Sequence, residues 1–389
     1  MSGVEQNVFV MNRKEILKQI PSPCYVLEQS ALMHNMAIID KVRREAGVNI
    51  IVALKACAMW SIFPTLAQHS DGAAASSVAE ARLVYEEYGS KAHTYSPAYT
   101  DGNIDELLVY SSHITFNSLN QWERFGRKAM ARGVSCGLRI NPGYSPVETD
   151  IYNPCVKGSR LGVRPEQLKE LPEGVEGLHF HVLCESSADN LATALEYTER
   201  NFGHLLDKIK WLNMGGGHLM TREGYDCELL IATLRAFKER HPDLQIILEP
   251  GSAFTWRTGV LISTVEDIVS DGQFNTAVLD VSFACHMPDC LEMPYKPAIE
   301  GAHDPGEGEK CWRMGGCSCL AGDWVGDWAF DEEPKVGDRV VFEDMIHYTM
   351  VKTTMFNGVA HPSIGILHED GTFRMVKRFG YADFKERMS

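Results

Sequence analysis

The sequence predicts an α/β plus β fold: a (β/α)8 TIM barrel joined to a second, antiparallel β-domain built from the C-terminal region and the N-terminal segment. Three observations predict it. Eight brief apolar runs recur between residues 49 and 251, and most intervals between them have helical spacing of apolar residues. After about residue 264 the texture changes to short β-branched runs separated by turn residues such as Val336-Gly337-Asp338. The length of 389 residues fits two to three domains at about 150 residues each. The barrel is assigned to residues 30–264 and the β-domain to residues 1–29 plus 265–389.

The first amphipathic run spans Ala31 to Glu45. The strand candidates follow in order: NIIVAL (49–54), DGAAAS (71–76), HTYSP (93–97), HITFN (113–117), SCGLRIN (135–141), GLHFHVL (177–183), KWLNMGG (210–216) and QIILEPG (245–251). Helical spacing marks Ser77–Tyr88, Leu119–Ala131, Asp189–His204 and Tyr225–Arg240 between them. Strands alternating with helices imply a parallel sheet, and eight is the number that closes a barrel. A doubly wound open sheet is the structural alternative. Beyond the barrel, VLISTVEDIV, NTAVLDVSF, DRVVFED, MIHYTMV and IGIL read as strands, and PSPCYVL (21–27) is expected to pair with the C-terminal ones.

Hydrophobic residues make up 44% and charged residues 23%, the balance of a globular chain. The net charge of −15 repels phosphate backbones, which argues against nucleic-acid binding and favours a cationic substrate. No apolar stretch is long enough to cross a membrane as a helix, and the N-terminus lacks a signal-peptide h-region. Eleven scattered cysteines suit reduced thiols and a cytoplasmic location.

Barrel enzymes carry their chemistry at the C-terminal ends of the strands. Here those ends offer Lys55, Ser76, Ser77, Ser96, Asn117, Arg139, Asn141, His181, Gly215–Gly217 and Glu249. A lysine closing an apolar strand either reaches solvent or is held where desolvation makes it nucleophilic enough for a Schiff base. Gly215, Gly216 and Gly217 let backbone amides approach an anion, or form only a tight turn. Glu249 either closes a buried ion pair or holds a cationic ring nitrogen, and His181 is either a core histidine or part of the site. Around one barrel mouth, these groups describe a pyridoxal phosphate pocket.

On these motifs the chain resembles the fold-type III pyridoxal phosphate-dependent decarboxylases, which have an alanine-racemase-like barrel and a C-terminal β-domain. The resemblance runs in family order from PSPCYVL to Phe356-Asn357-Gly358. It implies that Lys55 in ALKA is the Schiff-base lysine and that His181 in HFHV stacks on the cofactor ring. It further implies that Gly215, Gly216 and Gly217 cradle the phosphate, and that Glu249 pairs with the pyridine nitrogen. Arg139 joins the cofactor-binding set. Gly316–Asp323 resembles the catalytic-cysteine loop, with Cys319 as general acid. The segment Phe342-Glu343-Asp344 with His347-Tyr348-Thr349 resembles the one whose tyrosine, here Tyr348, reaches the phosphate. The family pattern also implies a homodimer with shared active sites, the cysteine loop reaching the partner's barrel. Cys311, Cys317 and Cys319 lack the paired spacing of a metal site, so no metal is expected.

Departures from the pattern narrow the substrate. The family's EPGR becomes Glu249-Pro250-Gly251-Ser252, and Met287-Pro288-Asp289 stands where the diaminopimelate branch carries Arg-Pro. A glutamate on the ring nitrogen favours decarboxylation over racemisation. The strings SSVAEAR, EPGSAFTW, HMPDCLEMPY and SCLAGDW look most like the carboxynorspermidine/carboxyspermidine decarboxylases. Substrate binding is assigned to Glu249, with Asp280, Asp289 and Asp323 as candidates for the amines of a cationic carboxypolyamine. A diaminopimelate or other basic amino-acid decarboxylase is the alternative enzyme. A catalytically silent regulatory or pyridoxal phosphate-binding relative is the non-enzyme alternative.

Overall fold

The computed structural model describes residues 12–389, so the first eleven residues, on which the expectation about a leader partly rests, lie outside the described residues. The chain divides into two units: His34–Trp256, and Arg257–Ser389 together with the described residues up to Met33. The first strand, β1 (Cys24–Glu28), belongs to the second of these.

The unit His34–Trp256 is a ring of short parallel strands. They are β2 (Asn49–Ile50), β3 (Val52–Ala53), β4 (Ala73–Ala75), β5 (Ala92–Tyr95), β6 (Ser111–Phe116), β7 (Ser135–Arg139), β8 (Gly177–His179), β9 (Trp211–Asn213) and β10 (Gln245–Leu248). Their order is β2-β10-β9-β8-β7-β6-β5-β4-β3. β2 and β3 are one strand interrupted at Ile51, where pairing switches from β10 to β4, so the ladder closes on eight strands. Each of the eight apolar runs in the sequence overlaps one of these eight strands. The connecting helices also stand where the periodicity places them, among them Gln29–Ala46, Leu119–Ala131, Ala188–Leu206 and Cys227–Arg240. Ser77, Ser118 and Asp226 accept the N3 amides of the helices that follow them, which starts each helix at once after its loop. The stretch between β7 and β8 departs from the alternation, because it is loop throughout.

Packing explains two of the strand glycines. A Cβ on Gly137 would lie 2.3 Å, and one on Gly177 2.0 Å, from the indole of Trp211. The glycines of β7 and β8 therefore leave room for the large ring of β9, which packs with Ile51, Ala74 and Ile247 in the core.

The other unit holds β11 (Gly259–Ser270), β12 (Asn275–Leu279), β13 (Ala302–His303), β14 (Trp312–Gly315), β15 (Trp324–Phe330), β16 (Arg339–Glu343), β17 (Ser363–Leu367) and β18 (Phe373–Lys377). With β1 they form a sheet of order β13-β15-β14-β12-β11-β1-β17-β18, with β16 on β11. Most pairs are antiparallel, but β1–β17 and β12–β14 are parallel. The N-terminal strand pairs with β11 and β17, as its composition predicts. Its core joins Cys24, Val26, Val260, Ile262 and Leu367.

One expected strand is absent. MIHYTMV forms turns and a short 3-10 helix (Met350–Lys352) instead. Asp344 and Tyr348 adopt φ of +59° and +54°, which breaks an extended run, and Asp344 turns back to pair with His347 at 3.2 Å. Among the described residues no helix is long and apolar enough to cross a membrane.

Candidate active site

Three strand ends of the barrel unit bring their polar residues together. Lys55 follows β3 and Glu249 follows β10, each the first polar side chain after a buried apolar run, and His181 follows β8, two positions beyond the buried His179 that ends that strand. Lys55 Nζ lies 3.5 Å from His181 Nε2. On its other side the imidazole is fixed, since Gly216 N–H donates to Nδ1 at 3.0 Å. Nδ1 is thereby an acceptor, and the proton of the neutral ring sits on Nε2, facing an amine that must accept it.

Electrostatics agree with that arrangement. Burial pushes the Lys55 ammonium toward the free base, Glu249 opposes this and Arg139 adds to it. Burial also drives the His181 pKa well down, helped by Lys55 and Arg139. Glu249 is shifted up by burial, against the pull of Lys55 and a hydrogen bond from Asn213. An amine held toward its neutral form beside a carboxylate is suited to nucleophilic attachment of a carbonyl compound.

The glycine loop is part of the same construction. Asn213 Oδ1 accepts the Gly215 amide at 2.8 Å, while its Nδ2 donates to Glu249 Oε2 at 2.9 Å. The Glu249 amide donates to the Gly215 carbonyl at 2.7 Å. A Cβ on Gly216 would stand 2.4 Å from the Glu249 carbonyl oxygen, and one on Gly217 2.3 Å from Leu183 carbonyl atoms. Gly217 also has φ of +90°, so neither position admits a larger residue without movement. Arg139, only 4% exposed, donates to the His181 carbonyl at 3.0 Å and lies over the Tyr95 ring at 4.7 Å. Tyr95 in turn donates to Asn117 Oδ1 at 2.9 Å. A cavity of about 640 Å³ opens from Lys55, Arg139 and His181 and runs along the loop residues Asp150–Leu161.

The remaining predicted residues belong to the sheet unit. Cys319 is exposed, and its amide donates to Asn357 Oδ1 at 2.8 Å. Asp323 is 4% exposed and organises that loop: Oδ2 accepts the Ser318 hydroxyl at 2.6 Å and its amide at 3.1 Å, while Oδ1 accepts the Ala284 amide at 3.0 Å. Asp280 is occupied by the hydroxyls of Ser22 and Ser263, at 2.6 and 2.9 Å, and by the Thr264 amide. Asp289 pairs with Lys352. Ser77, offered by its strand end, is a helix cap. Tyr348 is half-buried in its left-handed turn. In the cysteine loop the thiol of Cys317 is pushed up to about 11, chiefly by burial.

Sequence patterns miss Asn213, which joins Glu249 to the glycine loop, although a polar residue closing the apolar run WLN was a visible signal. They also miss Asn357, whose left-handed backbone (φ +58°) presents its amide to the cysteine loop. The loop lining the cavity carries no periodic signal at all.

Comparison with known proteins shows the family. Carboxyaminopropylagmatine decarboxylase of Synechocystis sp. is 51% identical over 373 residues, covering 96% of each chain. Carboxynorspermidine/carboxyspermidine decarboxylase of Campylobacter jejuni is 38% identical, covering 95% of this chain and 99% of its own. The crystal structure of carboxynorspermidine decarboxylase from Campylobacter jejuni, complexed with norspermidine, superposes with a TM-score of 0.88 at 37% identity, covering 95% of this chain and all of that one. Residues 24–346 match the family model described as pyridoxal-dependent decarboxylase, C-terminal sheet domain. With Lys55, His181 and Glu249 gathered at one end of a parallel barrel, the chain belongs to the pyridoxal-dependent decarboxylase family.

Proposed function

We propose that this protein decarboxylates a carboxylated polyamine of the carboxynorspermidine/carboxyspermidine type, releasing CO₂ and leaving norspermidine or spermidine. The observation that carries this is the cluster of Lys55, His181 and Glu249 in a chain of this family. The donor set fits pyridoxal phosphate: a neutral-leaning amine, a carboxylate with one oxygen on Asn213, and a glycine loop too tight for any Cβ. When bound, the cofactor supplies an electron sink for the carbon that loses CO₂.

Each residue then has a task. Lys55 Nζ is the attachment point, and the low basicity caused by burial keeps it nucleophilic. Glu249 holds a proton on the ring nitrogen, with its orientation set by Asn213. His181 covers the ring face, steadied by the Gly216 amide and, through its own carbonyl, by Arg139. Gly215, Gly216, Gly217 and Tyr348 receive the phosphate. Cys319 Sγ delivers a proton to the carbon that has lost CO₂, in a homodimer whose cysteine loop serves the partner's barrel. Eleven free thiols are consistent with a reducing, cytoplasmic setting.

A second substrate is favoured by a specific finding. The relative at 51% identity is a carboxyaminopropylagmatine decarboxylase, whose substrate ends in a guanidinium rather than an ammonium. Both substrates share the same carboxylated aminopropyl head. CO₂ release from carboxynorspermidine, carboxyspermidine, carboxyaminopropylagmatine and meso-diaminopimelate tests the proposal. The carboxypolyamines should exceed diaminopimelate in kcat/KM by at least ~100-fold, or roughly 2.7 kcal/mol. Equal or better turnover of diaminopimelate refutes the substrate assignment. Borohydride reduction of the holoenzyme should place the pyridoxyl group on Lys55, and labelling elsewhere refutes that role.

A further inference from the structure

The far end of a carboxypolyamine is a cation, and a carboxylate that has no other partner is the group to pair with it. The three aspartates offered by the sequence are already engaged. Asp280 accepts from Ser22, Ser263 and Thr264, Asp323 from Ser318 and Ala284, and Asp289 pairs with Lys352.

The cavity of the barrel unit offers another carboxylate. It begins at Lys55 and His181 and continues along the loop between β7 and β8. Among the described residues that line it, Asp150 is the one carboxylate. Among the described residues its side chain has no ion pair or hydrogen bond, and only its backbone carbonyl is used, by the Asn153 amide at 3.2 Å. The loop that presents it is built rather than loose. Ser145 Oγ donates to the Val182 carbonyl at 2.6 Å, Asn153 Nδ2 to the Val147 carbonyl at 2.7 Å, and Asn141 Nδ2 to the Pro154 carbonyl at 3.2 Å. Lys157 and Arg160 line the same wall without pairing to Asp150. The Arg160 carbonyl is held by Asn117 Nδ2 at 2.8 Å, on the Tyr95 side of the mouth.

We propose that Asp150 is the specificity residue that accepts the distal cation of the substrate, an inference that rests on the decarboxylase function above. The head of the substrate reacts at the Lys55 end of the cavity, and the chain beyond it runs along the loop wall to the one free acid. A carboxylate takes an ammonium through one oxygen or a guanidinium through two, so Asp150 serves either ending. The arms of the test separate the two.

The test uses the holoenzyme and its Asp150→Asn and Asp150→Glu variants. Calorimetry measures binding of norspermidine and of aminopropylagmatine, and CO₂ release is followed with the corresponding carboxylated substrates. Asp150→Asn should raise both KM and product Kd by at least ~10-fold while kcat stays within about 3-fold. Asp150→Glu should recover part of the binding. A larger loss on the guanidinium compounds identifies a two-oxygen contact, and a larger loss on the ammonium compounds a point contact. The absorbance of the bound cofactor, unchanged in both variants, shows that the barrel is intact. Unchanged KM and Kd in Asp150→Asn overturn the assignment, as does a fall in kcat with KM untouched. If the wild-type protein releases no CO₂ from any carboxypolyamine, the proposed function fails. If it does and Asp150→Asn behaves like wild type, only the role of Asp150 fails.

Discussion

The amide of Gly216 donates to Nδ1 of His181 at 3.0 Å, so a backbone group in the loop after β9 selects the tautomer of a side chain that follows β8. The selected tautomer points its Nε2 proton at Lys55 Nζ, 3.5 Å away. A charged lysine could not accept that proton, so the bond and the depressed basicity of Lys55 reinforce one another.

This relationship can be measured directly. Nitrogen NMR of histidine-labelled protein should show His181 as the neutral Nε2–H tautomer at about pH 6, where an ordinary imidazole is mostly charged. The cause is burial beside Lys55 and Arg139. A charged His181 ring at that pH would count against the arrangement.

Asn213 is the link most exposed to a single substitution. Asn213→Ala removes the donor to Glu249 and the acceptor of the Gly215 amide together. Loss of a hydrogen bond to the charged form shifts the Glu249 pKa further up. Stability should fall by about 1–3 kcal/mol, and cofactor affinity should fall with it. Denaturant titration and cofactor absorbance report the two effects, and a variant with wild-type values in both would show that the link carries no energy.

Asp323 should behave as a positioning residue for Cys319. Asp323→Ala strips Ser318 and Ala284 of their acceptor and should lower kcat toward the level of Cys319→Ala, while borohydride labelling of Lys55 is retained. Mixing inactive Lys55→Ala with inactive Cys319→Ala subunits should restore part of the activity through heterodimers with one intact site. Exchange of subunits without any recovery would remove the shared-site proposal.

Acid should destabilise the fold through histidines held neutral. Burial lowers His286 from 6.5 to about 4, and His218 likewise to about 4. Between those values the unfolded chain binds protons that the native chain refuses, so stability is present above about pH 6.5 and is lost as pH falls toward 4. Each group contributes up to about 1.4 kcal/mol per pH unit, or about 2 kcal/mol at pH 5. His286→Asn keeps an acceptor for the Ser282 amide, which His286 Nδ1 takes at 3.1 Å, and cannot titrate. Its unfolding free energy should depend less steeply on pH than that of the wild type, and an identical slope would clear His286 of the effect.

The barrel was readable because its signal is local. Most strands lie in short runs rich in apolar residues, several helices have their own period and a cap such as Ser77, Ser118 or Asp226, and Lys55, His181 and Glu249 stand out as polar residues near the ends of those runs. What could not be read depends on partners far away in the chain. Nothing around Asp280 announces that Ser22 and Ser263 fill it, and nothing around Asp323 announces the Ala284 amide. MIHYTMV has strand composition, but the left-handed backbone of Asp344 and Tyr348 overrides it. The cavity wall around Asp150 is irregular loop, and irregular loop has no period to recognise.

The position of β1 between β11 and β17 has a consequence for how the protein is made. Among the described strands β1 precedes every barrel strand and is interior to its sheet, while one neighbour, β17, is translated after all of them. The barrel strands are all available before that, so this unit can close while the tail is still being synthesised. The β1 strand must wait with an open edge until Ser363–Leu367 arrives. Nascent chains stalled before that segment, or chains truncated ahead of it, should therefore be the forms that engage chaperones and aggregate.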